Sequence, residues 1–312
     1  MINKEFIGYI STKTKIKQKE LIEKDLILQY LLKELQSNKY FSKNFVFKGG
    51  TCLIKCYLGY YRFSEDLDFS WINQEVLKNK SEKQKRKYLS NEIDKILDIL
   101  EVISKKLSLD FQKTKTNKNY VELGGNNKFA TFKIWYNSNL LNIKQLIKIQ
   151  INFVEIFKYK FKTIIPKAII RDVDLQDTSF LFPKDTQILR YKIKIKAYDL
   201  KEIMLEKIRA ILTRQGIKIR DFIDVYFIVR SLKIKLNDYK KEILEKTIFM
   251  LKYEKYLKNL LKKENLFEES IFKDKESLLL REVGEDFDEY VKDILNFLNT
   301  LLKEIKKYLN GH

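Results

Sequence analysis

The sequence predicts an α+β fold followed by a helical domain. Three observations carry this. Phe45-Val46-Phe47 runs into Lys48-Gly49-Gly50-Thr51, a short apolar strand that breaks on two glycines and opens a helix. Asp66–Trp71 alternates strictly, which sets Asp66, Asp68 and Ser70 on one face of a strand and Leu67, Phe69 and Trp71 on the other. From about residue 199 onward only helical spacing is found. The boundary is therefore expected near 197, with domains at 1–197 and 198–312.

The elements follow in order. Residues 17–37 carry apolar residues at 21, 22, 26, 28, 31, 32 and 35, the spacing of a helix. Residues 51–58 extend the helix that opens at the glycines. Residues 81–107 form a long charged helix whose apolar stripe is Ile93, Ile96, Leu97, Leu100, Ile103 and Leu107. Tyr120 to Leu123 and Phe129 to Tyr136 flank Gly124-Gly125-Asn126-Asn127, residues that accept positive φ, and predict a hairpin. A strand is expected over 146–156. Another is expected over 187–196, where Tyr191, Ile193 and Ile195 alternate with basic residues. In the helical part, Ile243, Leu244, Phe249, Leu257, Leu260, Leu278, Leu279, Ile294, Leu298 and Leu301 are expected to form core.

Composition narrows the function classes. The chain has 312 residues, 45% hydrophobic and 33% charged, enough to bury a sizeable core. With only 9 Gly and 2 Pro, paired glycines at 49 and 50 point to a backbone requirement. The formal net charge of +20 argues for a polyanionic partner, nucleic acid first. A Lys-rich codon bias would produce the same excess without any partner. Two cysteines, Cys52 and Cys56, are too few for a disulfide framework and one helical turn apart, a spacing suited to packing. The single histidine, His312, makes a zinc site unexpected. No membrane span and no signal-peptide core are found, so a soluble, cytoplasmic protein is expected.

The chemistry concentrates between residues 48 and 69. A strand ending in Gly-Gly at a helix start exposes N–H groups that suit phosphate, and glycine lets an anion approach the backbone. Thr51 adds a hydroxyl. Asp66 and Asp68, projecting together, suit Mg²⁺, which takes one or two carboxylates and completes its shell with substrate phosphates. Without a cation the two charges would repel. A bare Asp-x-Asp is more often a solvated strand edge; the glycine turn just upstream is what favours a site.

Taken together, Lys48-Gly49-Gly50-Thr51 and Arg62-Phe63-Ser64-Glu65-Asp66-Leu67-Asp68-Phe69 resemble the AbiEii/AbiGii-type nucleotidyltransferase toxin family, of the DNA polymerase β-like nucleotidyltransferase superfamily. The helix bearing Glu23-Lys24-Asp25 resembles that family's N-terminal segment. Glu206-Lys207-Ile208-Arg209-Ala210-Ile211-Leu212-Thr213-Arg214 and Arg220-Asp221-Phe222-Ile223-Asp224-Val225-Tyr226 resemble its two later motifs. The likeness runs from about residue 20 to 232.

The resemblance implies a nucleotidyltransferase domain with a mixed sheet, then an α-helical domain carrying Lys207 and Asp224. It implies nucleotide contacts from Lys48, Gly49, Gly50, Thr51, Arg62, Ser64 and Arg214, and metal held by Asp66 and Asp68. Lys207 would contact the triphosphate and Asp224 would complete the site. Mg²⁺ is the expected ion, with Mn²⁺ as an alternative, and a nucleoside triphosphate the substrate. The acceptor would be RNA, a tRNA 3′ end, and a cognate antitoxin the partner. The alternatives are nucleotidylation of a protein hydroxyl, or a nucleotide- or RNA-binding module without turnover.

On the residues alone, Lys207 and Arg214 fit one helix face, and Asp221 and Asp224 share another. Ordinary solvated faces, and a helix-start ion pair at Arg220-Asp221, would account for the same residues. One departure concerns a third acid. Gln150 and Asn152 stand where one is sought, and Glu155 has the other parity on a regular strand. Either two strand acids suffice or the base comes from elsewhere.

Overall fold

Long-range strand pairing, not local propensity, organises the first part of the chain. The computed structural model describes residues 2–170, 175–263 and 279–310. Two units divide it: Met1–Val154 with Phe161–Tyr198, and Glu155–Lys160 with Asp199–His312.

The first unit opens with helices α1 (Lys4–Thr14), α2 (Lys19–Ser37) and α3 (Lys39–Asn44). Strand β1 (Phe45–Lys48) follows, wholly buried, and then α4 (Gly49–Cys52), which widens into a π-type turn over Leu53–Leu58. Strand β2 is Asp66–Trp71, and α5 is Glu82–Lys106, started by a reciprocal Ser81–Gln84 capping box. Then come β3 (Val121–Gly124), β4 (Phe129–Asn137), β5 (Lys144–Asn152) and β6 (Lys162–Ile164). Helices α6 (Leu175–Leu181) and α7 (Pro183–Arg190) lead to β7 (Ile195–Ala197). The strands form one sheet in the order β3-β4-β5-β2-β1-β7-β6. It is mixed: β2 runs parallel to β5 and antiparallel to β1, while β1 runs parallel to β7. The α+β expectation is met.

The apolar face of β2 explains why the helices sit where they do. Leu67, Phe69 and Trp71 are buried. Phe41 of α3 meets Phe69 edge-on at 4.9 Å, and Tyr88 of α5 lies 6.0 Å from Trp71. Burying side chains of this size contributes about 1.5–3 kcal/mol each.

The Glu23-Lys24-Asp25 run ties α2 to three distant places. Glu23 accepts from Ser138 Oγ at 2.6 Å and from the Asn139 N–H at 2.8 Å. Lys24 pairs with Glu65. Asp25 pairs with buried Lys55 at 2.9 Å, and Tyr60 links the two by accepting from Lys55 and donating to Asp25.

Two strand expectations are corrected. Over 187–196 most residues are not in a strand. Pro183 starts α7, a position where its missing N–H costs nothing, and Ile188 is the buried anchor. Only Ile195–Ala197 pairs, so the Lys/Ile alternation is a poor guide there. The strand expected over 146–156 stops at Asn152, whose side chain accepts from the Val154 N–H at 3.0 Å and turns the chain out of the sheet.

The second unit holds α8 (Leu200–Thr213), α9 (Ile219–Leu232), α10 (Lys240–Leu251), α11 (Glu254–Leu261) and α12 (Phe287–Asn310). Of the expected core residues, Ile243, Leu260, Ile294, Leu298 and Leu301 are buried, and Leu244, Phe249, Leu257 and Leu279 are half-buried. Leu278 lies outside the described residues. A charged group is buried here too. Lys246 Nζ lies 2.5 Å from Glu202 and 3.2 Å from Glu155, and Arg209 stands 3.8 Å from Glu155 and 3.5 Å from Glu206. Glu202 also accepts the N–H groups of Lys158 and Tyr159 at 2.8 Å, which clips residues 155–160 to this unit. Among the described residues, no helix is long and apolar enough to cross a membrane.

Candidate active site

The site is built on the junction of β1, α4 and β2. The register pairs Lys48 of β1 with Asp68 of β2, and Asp68 in turn with Gln150 of β5. Lys48, Asp68 and Gln150 therefore project from one face, and Asp66, opposite Lys148, projects beside them.

Glycine is required where the chain leaves β1. Gly49 has φ +78, a conformation that L side chains rarely adopt, and a Cβ there would lie 2.7 Å from Asp68 Cγ. The Asp68 carboxylate thus packs directly on the turn, in the space a side chain would fill. Gly50 is constrained by space alone: its Cβ would meet Arg62 Nη2 at 2.8 Å and Ser64 Oγ at 3.0 Å. Gly49→Ala is expected to destabilise the protein by about 1–3 kcal/mol, the usual strain of a left-handed non-glycine residue. It is also expected to remove activity by displacing Asp68. Urea unfolding beside a nucleotide-incorporation assay checks both, and a variant unchanged in both would contradict this reading.

Supporting contacts fix the acidic strand. Thr51, buried, donates to the Asp66 carbonyl and lies 2.8 Å from Ser64 Oγ. Its hydroxyl therefore holds β2 against α4. Arg62 is buried, donates to the Phe63 carbonyl at 2.7 Å and lies under Tyr61. The Lys48 ammonium sits 5.6 Å from the Tyr198 ring, and Tyr198 donates to Ser70 at 2.7 Å. Gln150 Nε2 approaches Asp66 Oδ2 at 3.5 Å, a weak contact. Cys52 and Cys56 are free and buried. Burial, then the hydrogen bond and charge of Cys56, push the Cys52 thiol well up, and Asp68 adds to this, so it stays protonated beneath the turn.

The later motifs meet within the second unit. Lys207 Nζ lies 2.6 Å from Asp224 Oδ2 and 3.0 Å from Asp221 Oδ1, and Arg214 also pairs with Asp221. Asp221 and Asp224 are both buried, whereas Arg220 is exposed. The partner of Asp221 is thus not its neighbour Arg220 but the two cations of α8 and its end. Glu155 is absent from β5 altogether: it lies past the strand end in the buried group with Lys246, so strand parity does not apply to it. Sequence reasoning missed the Gly49–Asp68 contact, which depends on strand register.

The donor set fits a hard divalent cation. Among the described residues no group of three or more His, Cys, Asp or Glu side chains is placed to hold a metal. Two carboxylates on one face suit Mg²⁺, which completes its shell with substrate and water.

Acids aimed from a strand of a mixed sheet at a glycine-opened helix suit a nucleotidyltransferase. The family comparison agrees on that class. The family model described as "Nucleotidyl transferase AbiEii toxin, Type IV TA system" matches residues 30–310, and the chain belongs to that family. Two solved structures are similar. One is JHP933 from Helicobacter pylori, 13% identical, covering 100% of this chain and 99% of that chain with a TM-score of 0.42. The other is a candidate nucleotidyltransferase from H. pylori, 16% identical, covering 94% of this chain and 97% of that chain with a TM-score of 0.43. No curated protein matches the chain.

Proposed function

We propose that this nucleotidyltransferase toxin transfers a nucleoside monophosphate from a nucleoside triphosphate to an RNA acceptor, a tRNA 3′ end, in the cytoplasm. A cognate antitoxin restrains it. The observation that carries the reading is the packing of the Asp68 carboxylate on Gly49, with Asp66 on the same face.

In this reading the N–H groups of Gly49 and Gly50 receive the phosphates, with Lys48, Arg62, Ser64 and Thr51 shaping that turn. Asp66 and Asp68 would hold Mg²⁺ or Mn²⁺, which when bound supplies neutralising charge for the reacting phosphate. An acceptor hydroxyl attacks the α-phosphorus in line. Its oxygen forms the new P–O bond as the bond to the β-phosphate oxygen breaks, pyrophosphate departs with the electron pair, and the hydroxyl proton passes to solvent. Lys207, fixed by Asp221 and Asp224, opposes the negative charge of the leaving group, and Arg214 adds to that field. Lys148, Gln150 and Asn152 are the β5 residues that share the acidic face, so β5 supplies no third acid there. Lys148, opposite Asp66, adds positive charge on that face, whereas Lys133 across from it is paired with Glu122. The net charge of +20 supports a polyanionic acceptor.

Incubation with α-labelled nucleotides, total RNA and cell lysate tests the acceptor. Label that RNase removes and protease does not is expected. Label that only protease removes would move the acceptor to a protein hydroxyl. No label and no pyrophosphate release with any nucleotide would leave a binding module.

A further inference from the structure

A cavity lies within the first unit, between α2, β4, α7 and the end of α5. Its volume is about 370 Å³, within the range of small-molecule sites. Glu23, Ile27 and Tyr30 reach it from α2, where the i, i+4, i+7 spacing puts them on one helix face. Tyr136 and Asp185 contribute from β4 and α7. Along β4, Lys133 shares the Asp66 face, so Tyr136, three residues on, belongs to the opposite one.

Three features suit the lining to a cationic ligand. Glu23 is 2% exposed, and its carboxylate takes two neutral hydrogen bonds but no cation among the described residues. An uncompensated buried carboxylate is costly, and a paired one is not. Tyr136, 5% exposed, and half-buried Tyr30 both line the cavity, and neither hydroxyl bonds a described residue. Burial first, and then the charges of Glu23 and Glu65 at Tyr136 and of Asp185 at Tyr30, push both phenols up, which keeps them neutral. Asp185 adds a second carboxylate, bonded only weakly by the Asn3 N–H at 3.4 Å. The one cation in the lining, Lys106, is drawn to Glu34 at 2.7 Å.

We propose that this cavity binds a small organic cation, an amine or guanidine on an apolar stem. The charged head would lie among Glu23, Asp185 and the two phenols, which accept its N–H groups and offer ring faces. Ile27 and the leucines at the end of α5 would line the stem. A locally acidic cavity in a chain of net charge +20 is not explained by general attraction of cations, since the whole-molecule field repels them.

The test uses the full chain and agmatine as the probe, with pentanoate as the anionic control, by titration calorimetry and thermal melting. Agmatine is expected to bind saturably at one site and raise the melting temperature, and pentanoate to do neither. Tyr136→Phe, which removes one hydroxyl, is expected to weaken binding about 5-fold. Asp185→Asn, at a half-buried position that leaves the core intact, is expected to weaken it about 10-fold. Binding must survive in the Asp66→Asn/Asp68→Asn double variant. Absence of binding at millimolar agmatine, equal affinity in both cavity variants, or loss of binding in the double variant would each overturn the proposal.

Discussion

Asp68→Asn is expected to lower nucleotidyl transfer by a factor on the order of 10³ or more while leaving the melting temperature near that of the parent protein. The substitution keeps the size that packs against Gly49 and removes only the charge. If that charge holds the cation, several kcal/mol of transition-state stabilisation go with it, at about 1.4 kcal/mol per tenfold in rate. Relief of like-charge repulsion with Asp66 offsets any small loss of packing. The checks are incorporation of α-labelled nucleotide and thermal unfolding on the same preparations. Undiminished incorporation would remove the acidic pair from the chemistry. Loss of incorporation with a collapsed melt would report unfolding instead, and the Asp66→Asn variant, whose strand position is less crowded, then decides.

Lys246→Met is expected to destabilise the second unit by about 3–5 kcal/mol, the cost of leaving a buried partner charge unpaired. The ammonium is fully enclosed and lies on Glu155 and Glu202. Removing it strands carboxylates beside which half-buried Arg209 is left. Adding Glu155→Gln to Lys246→Met is expected to recover part of the loss, because it removes one of the stranded charges. Burial pulls the Lys246 proton affinity down, but Glu155, Glu206 and Glu202 outweigh it and hold the group above its ordinary range. A raised value in the folded state means the stabilisation is complete below the unfolded value, about 10.4, and is lost as pH rises through the folded one. Stability measured by urea unfolding should therefore show no Lys246 contribution to any loss between pH 6 and 9, and a falling one above pH 10.5. Equal stability of parent and Lys246→Met at pH 7 would contradict this account.

What was legible in the chain, and what was not, follows from range. The acidic strand announced itself because Asp66–Trp71 alternates without interruption, and the observed β2 has those bounds. Its neighbour β1 was legible as an unbroken apolar run ending at glycine. The contacts that give these elements meaning cross the sheet. Nothing local says that Gly49 is glycine because Asp68 lies against it, or that Asp25 faces Lys55. Alternation misled at 187–196, where a proline at the first helical position and one buried isoleucine outweighed a two-residue period of lysine. Parity misled at Glu155, because Asn152 ends the strand three residues earlier. Helix α1 went unread, although Asn3 caps it and Phe6, Ile7 and Ile10 make its buried stripe, because eleven residues flanked by lysines leave a weak period.

The central claim is that Asp66 and Asp68 grip a divalent cation beneath a bound triphosphate. Its most direct test is Mn²⁺ binding followed by electron paramagnetic resonance, with a non-hydrolysable triphosphate analogue present. The parent protein is expected to take up Mn²⁺ at a site strengthened by the analogue, and the Asp66→Asn/Asp68→Asn protein to lose that uptake while still folded. Equal uptake by the two proteins would place the ion elsewhere and contradict the account.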